Sequence, residues 1–243
     1  MTFDPFHDFE THGYLRNVFG EKSAAIIRRL EHSSFVAGVD AAFRQLASVD
    51  VLSYRDVLKV HQTLFGDLYP WAGQDRLLTA PDLAVSRGPV LFAHPRDARP
   101  AVEHALKMGQ DKTIMAGRPG EVMGYLAYGH PFLDGNGRTL IVVHTELAQR
   151  AGVSIDWAAT SKSDYLTALT RELESPGRNH LDSYLKPFLC AAVGGDRLAQ
   201  HISHARGLDG KPEQALDANA VLGSFSDPAV QARYKQQELR RSK

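Results

Sequence analysis

Cysteine is nearly missing from this chain: Cys190 is the single thiol among 243 residues. No internal disulfide can form, so the core alone must hold the fold, and a reducing compartment is the simplest home. Cys190 lies in an apolar, helical-looking run, YLKPFLCAAV, where a free cysteine is expected to pack as a small hydrophobe rather than act as a nucleophile. A charge imbalance is missing too. With 28 basic and 28 acidic side chains the formal net charge is zero, which removes the broad electrostatic footprint of a nucleic-acid or anionic-membrane binder. No apolar run reaches the ~18 residues that a bilayer-spanning helix needs, and MTFDPFHDFETHG lacks a charged-then-apolar signal pattern. The expectation is a cytoplasmic protein, with export into a host cell open only through a route that reads no amino-terminal signal. Strand signal is scarce and no internal repeat is visible. His61 and His94 sit in neither a His pair at i,i+4 nor a cysteine-containing spacing, so both read as ordinary core or surface histidines rather than metal ligands.

Helical periodicity is what the chain has in quantity. A composition of 43% hydrophobic and 23% charged residues suffices for one sizeable core. Residues 23–46 carry an apolar stripe interrupted by Gly38, which predicts one kinked helix or two. Ser53 followed by Asp56 is a capping-box variant opening a helix whose inward stripe is Val57, Val60, Leu64 and Phe65. Residues 98–108, 120–129, 136–151, 161–173 and 180–204 read as further helices. Residues 76–78 and 90–93, separated by the turn-rich APDLAVSRGP, read as the two strands of a short hairpin. Residues 206–226 are polar and punctuated by Gly and Pro, like a linker or loosely docked tail. A last helix is expected from a cap at Asp227 with Pro228 in its first position, ending in the basic LRRSK. The fold class is therefore mainly α, a helical bundle with a short β-hairpin.

Residues 130–138, HPFLDGNGR, concentrate the chemistry. An imidazole, a carboxylate, a glycine-rich turn and a guanidinium follow one another between two predicted helices. An anion held there would meet the amino end of the second helix, where N–H groups lack intrahelical partners and the dipole is positive. Gly135 and Gly137 clear a turn that must approach a ligand closely. Asp134 offers hard oxygen to Mg²⁺, and Arg138 can grip a phosphate with two N–H groups. His130, with an ordinary pKa of ~6.5, can take a proton from an attacking hydroxyl. Phe132 reads as the core anchor of the loop. His144, two turns along the second helix, reads as packing or a helix-side hydrogen bond.

These residues resemble the signature of the Fic/Doc family, His-x-Phe-x-Asp/Glu-Gly-Asn-Gly-Arg, and every defined position as far as Arg138 matches. The resemblance runs from about residue 52 to 189 and takes in LFGDLYPWAGQDR, residues 64–76, the segment before the active-site flap. It implies a Fic fold with a hairpin flap, divided into an N-terminal helical segment (1–50), a Fic core (51–190) and a C-terminal helix and polar tail (191–243). It implies transfer of AMP from ATP to a Ser, Thr or Tyr hydroxyl of a target protein. His130 would be the catalytic base, and Asp134 would hold Mg²⁺. Gly135, Asn136, Gly137 and Arg138 would bind the nucleotide. Val90, Leu91 and Phe92 of the flap would dock an extended segment of the target by strand addition. Transfer from another nucleotide (UMP or phosphocholine type), removal of AMP, and an inactive Fic-like binding module are the alternatives. A toxin- or effector-like role and an antitoxin-like regulator belong to the same resemblance.

Two positions depart from it. Three residues past Arg138, where the family has a second arginine, stands Ile141. That arginine holds a γ-phosphate and pairs with a glutamate from an inhibitory Ser/Thr-x-x-x-Glu-Gly/Asn helix; in Ser33-Ser34-Phe35-Val36-Ala37-Gly38 alanine replaces the glutamate. Loss of both partners together is self-consistent, because a buried charge stripped of its partner costs roughly 3–5 kcal/mol. The expectation is that this Glu–Arg brake is absent and that control, if any, comes from elsewhere, such as the tail after Arg206.

Overall fold

Helix α1 (Ala24–Ala47) runs unbroken through Gly38 and buries Phe35, Val39, Ala42, Phe43 and Leu46. Gly38 marks a contact: a Cβ there would come within 2.6 Å of the Thr63 carbonyl oxygen, so the two backbones touch where α1 crosses α2 (Tyr54–Phe65). The structure is a computed structural model and describes residues 4–6, 9, 14–203, 205 and 220–241. The capping expectation for α2 is met, since the Asp56 carboxylate accepts from both the N–H and the hydroxyl of Ser53.

Residues 76–78 do not form the first hairpin strand. Asp75 accepts from the Leu78 N–H and starts a single helical turn, α3 (Arg76–Thr79). The strand is β1 (Leu83–Arg87), inside the stretch read as a turn, and it pairs antiparallel with β2 (Val90–Leu91) across Gly88–Pro89, with Ser86 opposite Leu91. Then follow α4 (Pro95–Gln110), α5 (Lys112–Gly117), α6 (Pro119–Gly129) and α7 (Asn136–Arg150). Residues 139–148 of α7 are all buried, so this helix is the central rod of the bundle, packed by α1, α2, α4, α5 and α6. His144 donates from Nε2 to the Pro119 carbonyl at 2.7 Å, as its helix-side position suggested.

Beyond β3 (Val153–Ile155) and α8 (Lys162–Glu174), the helix expected over residues 180–204 breaks up into α9 (His180–Leu185), the strand β4 (Leu189–Ala191) and α10 (Leu198–Ser203). Pro187 removes a helical donor, Gly194 and Gly195 follow, and β4 finds its bonds on β3 instead. Cys190 accordingly lies exposed on β4 and not in a buried helix. The stretch read as linker is also partly ordered: residues 206–219 lie outside the described residues, but β5 (Ala220–Ser224) joins the flap, giving a sheet of order β2-β1-β5. Asp227 then caps α11 (Pro228–Arg241), accepting from the Ala229 N–H at 2.7 Å. One apolar core runs from Tyr14 to Ala205, and a second small cluster, Ala84, Leu91, Phe225 and Val230, glues the C-terminal segment to the flap. Among the described residues no helix is long and apolar enough to cross a membrane.

Candidate active site

The loop between α6 and α7 begins with a strained residue. His130 has φ 41° and ψ 59°, a left-handed conformation that costs a non-glycine residue roughly 1–3 kcal/mol unless its surroundings enforce it. The enforcing group is Arg76. Its guanidinium is fully buried and donates to the carbonyls of His130 at 2.7 Å, Ala93 at 2.7 Å and Leu83 at 3.3 Å, while its backbone N–H donates to Pro131 at 2.7 Å. One side chain thus ties α3, the flap and the loop between α6 and α7 together.

The His130 ring is 4% exposed and lies flat beneath Phe92, with centroids 3.8 Å apart and planes 9° from parallel. Burial, then the Arg76 and Arg87 charges, hold its pKa well below the ordinary 6.5. The imidazole is therefore neutral at physiological pH, more completely than the unshifted value implied. Asn136 opens α7 and binds the loop to itself: its Oδ1 accepts from the Phe132 N–H at 2.9 Å, and its Nδ2 donates to the Phe132 carbonyl at 2.8 Å and faces His130 Nε2 at 3.1 Å. That network assigns Nε2 as the ring's acceptor.

Beneath the loop, Phe132 is fully buried and stacks on His61 at 3.8 Å, the anchor expected of it. His61 accepts the Gly73 N–H on Nδ1, so its Nε2–H donates to the Asp134 carbonyl at 3.0 Å. Its burial depresses its pKa to about 3, and it is a structural histidine. Gly135 has φ 74°, and a Cβ there would meet the Phe65 ring at 2.6 Å, so glycine is required twice over. Gly137 differs. A Cβ on it would meet no protein atom within 4 Å, and the residue is exposed in the first turn of α7. Asp134 is also exposed, with Oδ1 accepting the Gly135 N–H at 2.6 Å.

Arg138 is half-buried against the Phe65 ring, and its guanidinium lies 3.4 Å from the carboxylate of Glu31 on α1. Glu31 is 4% exposed and accepts from the Tyr69 hydroxyl at 2.7 Å. Burial and then the Asp134 charge raise its pKa to about 8, against the opposing pull of Arg138 and the Tyr69 hydrogen bond. A glutamate does reach the motif, though not through the position-37 and position-141 pair whose absence the sequence implies. Ala37 is indeed exposed and Ile141 buried in α7, but the same helix supplies Glu31, to the first arginine rather than the second. No spacing in the sequence announces that contact, and the role of Arg76 is equally silent. Val90, Leu91 and Phe92 are all buried, the first two as β2 and the third as the lid over His130. A separate cavity of about 500 Å³, lined in part by Leu52, Tyr54, Leu106 and Gln110, holds no residue of the loop.

A sequence model of the Fic/DOC family matches residues 51–148, which span this loop, Arg76 and the flap. Residues 51–148 are a Fic/DOC family domain. The chain is 30% identical over 174 residues to protein adenylyltransferase VbhT of Bartonella schoenbuchensis, a match covering 68% of this chain and 35% of VbhT. It is 27% identical over 141 residues to the protein named "Probable protein adenylyltransferase y4lH" of Sinorhizobium fredii, covering 54% and 71% of the two chains. The chain thus spans about a third of the length of VbhT. In fold it is similar to the BepC effector of Bartonella tribocorum, crystallised with AMPPNP, at a TM-score of 0.62 and 18% identity over 78% of this chain and 99% of that one. The Fic domain of Bep8 from Bartonella sp. 1-1C gives a TM-score of 0.62 at 15% identity, covering 76% and 94%.

Within this Fic domain the exposed Asp134 suits a single carboxylate ligand for Mg²⁺, an ion that commonly completes its shell with phosphate oxygens and water. Among the described residues no group of three or more His, Cys, Asp or Glu side chains is gathered as a larger protein cage.

Proposed function

We propose that this Fic domain is a protein adenylyltransferase that moves AMP from ATP to a Ser, Thr or Tyr hydroxyl of a target protein. The observation that carries the reading is a neutral imidazole, His130, next to a helix amino terminus at which Asp134, Gly137 and Arg138 all reach solvent. The first-turn N–H groups of α7, with the Arg138 guanidinium, would hold the polyphosphate and orient the α-phosphorus. His130 Nε2 would exchange its Asn136 contact for the target hydroxyl and take its proton as oxygen bonds to phosphorus. The P–O bond to pyrophosphate breaks, and AMP remains on the target. Asp134 would hold Mg²⁺, which supplies charge neutralisation on the polyphosphate when bound. The adenylyltransferase names of the relatives and the AMPPNP in BepC support ATP as donor.

Ile141 favours a second reading. A γ-phosphate finds no cation at that position, a loss of one charge-assisted contact worth ~1.5–3 kcal/mol. A diphosphate-linked donor such as CDP-choline, which carries no γ-phosphate, loses nothing there. The test is incubation with labelled ATP, UTP or CDP-choline, Mg²⁺ and a cell extract, with His130→Ala as control. AMP gained on a protein and lost with His130→Ala is expected. Phosphocholine gained establishes the second reading, UMP gained shows another nucleotide as donor, AMP removed from modified protein points to hydrolysis, and binding without covalent change reduces the domain to a binding module.

A further inference from the structure

The β1–β2 hairpin has two edges, and this chain fills both itself. β5 lies along β1, with Leu83 opposite Ser224 and Ala84 opposite Gly223. The outer edge of β2 is taken by a side chain: Gln237 of α11 accepts the Leu91 N–H on Oε1 at 2.7 Å and donates from Nε2 to the Leu91 carbonyl at 2.6 Å. Those are the two bonds that one residue of an added antiparallel strand would make. Arg233 reinforces the mimicry at the turn, donating to the carbonyls of Gly88 and Pro89 at 3.2 Å each. The rest of α11 is moored close to the catalytic loop. The Tyr128 hydroxyl donates to Glu238 at 2.6 Å, and the Arg241 guanidinium sits 3.6 Å over the Tyr128 ring.

We propose that α11 is the resident occupant of the target-docking edge, and that an extended segment of a protein partner docks by displacing Gln237 from Leu91. The chemistry that would follow docking rests on the adenylyltransferase reading above. Few apolar residues hold the helix: Val230 is its single buried one, Tyr234 packs edge-on to Phe225, and the other attachments are polar or cationic, exposed at Asp97 and the Gly88–Pro89 turn and part-buried at Leu91 and Tyr128. Release also bears on the catalytic base, because Phe92 follows β2 directly and its ring covers His130. An edge left open would otherwise invite nonspecific pairing. The partner must therefore be an extended polypeptide that offers backbone N–H and C=O groups to Leu91 and outcompetes one carboxamide.

The test uses the full chain, its Gln237→Ala variant and a Gln237→Ala/Arg233→Ala variant. The probe is a fluorescein-tagged ten-residue peptide of alternating Val and Thr around one central Tyr. Removing the two Gln237 bonds is expected to tighten peptide binding about tenfold, each bond being of ordinary strength. Amide exchange at Leu91 should speed up in the variants and slow again when peptide is added. Equal binding by all three forms, binding by none, or a Leu91 amide that stays protected in Gln237→Ala overturns the proposal. AMP transfer to the peptide's tyrosine from MgATP is recorded separately. Tighter binding without transfer removes the adenylyltransferase reading and leaves the displacement of α11 standing.

Discussion

Arg76 spends a full positive charge inside the protein, and its return is geometric: three carbonyls from three segments meet on one guanidinium. Arg76→Gln is expected to lower stability by about 2–5 kcal/mol, as buried carbonyls lose a charged donor. It should also raise the His130 pKa toward its ordinary value, since Arg76 is the leading charge contribution after burial. In a transfer assay the acid limb of the pH–rate profile would then move upward, whereas Arg76→Lys, which keeps the charge, should leave that limb nearly in place; equal limbs in all three forms would remove Arg76 as an influence on the base. Glu31 makes a second prediction at this scale. Its folded pKa of about 8 stands above the ordinary 4.5, so between those values the folded chain holds a proton that the unfolded chain has lost. Its contribution is whole below pH 4.5 and is lost as pH rises through 8. Thermal melts of native protein and Glu31→Gln should diverge over that window, the native protein losing ground as pH rises; parallel curves would contradict the buried carboxyl. Neither residue was legible beforehand, because each acts on a segment distant in sequence.

At the scale of elements, the loop between α6 and α7 was the most legible part of the chain. Pro131 and Gly135 break the helical period, Asn136 restores it, and α6 and α7 end and begin where those residues require. The two glycines now separate by role. Gly135→Ala should cost about 2–5 kcal/mol, from a strained φ together with a clash on Phe65. Gly137→Ala should change stability by no more than ~1 kcal/mol. The same methyl would stand at the exposed first turn of α7, so ATP affinity measured by calorimetry should fall although the melting temperature barely moves; unchanged affinity would place the nucleotide elsewhere. The flap was less legible. Residues 76–78 look like a strand until the Asp75 cap is seen, and LAVSR looks like turn until β2 and β5 give it partners. Short strands take their identity from pairing, which local sequence does not contain.

For the whole molecule, the separation of the apolar residues into a large core and a small cluster under α11 has a consequence for unfolding. Val230→Asp, which puts a carboxylate into the small cluster, should free α11 and β5 while the bundle persists. Hydrogen exchange would then quicken across residues 228–241 with α6 and α7 still protected; global loss of protection would show a single cooperative unit instead. Composition, period and one dense motif were enough to determine a helical Fic-type bundle and the chemical groups of its loop, because helices and caps are written in local spacing. What closes over those groups was decided only in three dimensions. Arg76 under His130, Glu31 on Arg138 and Gln237 on Leu91 join positions 54, 107 and 146 residues apart. Such contacts depend on the packing of whole elements, and no local pattern in a chain records which of its polar side chains will meet.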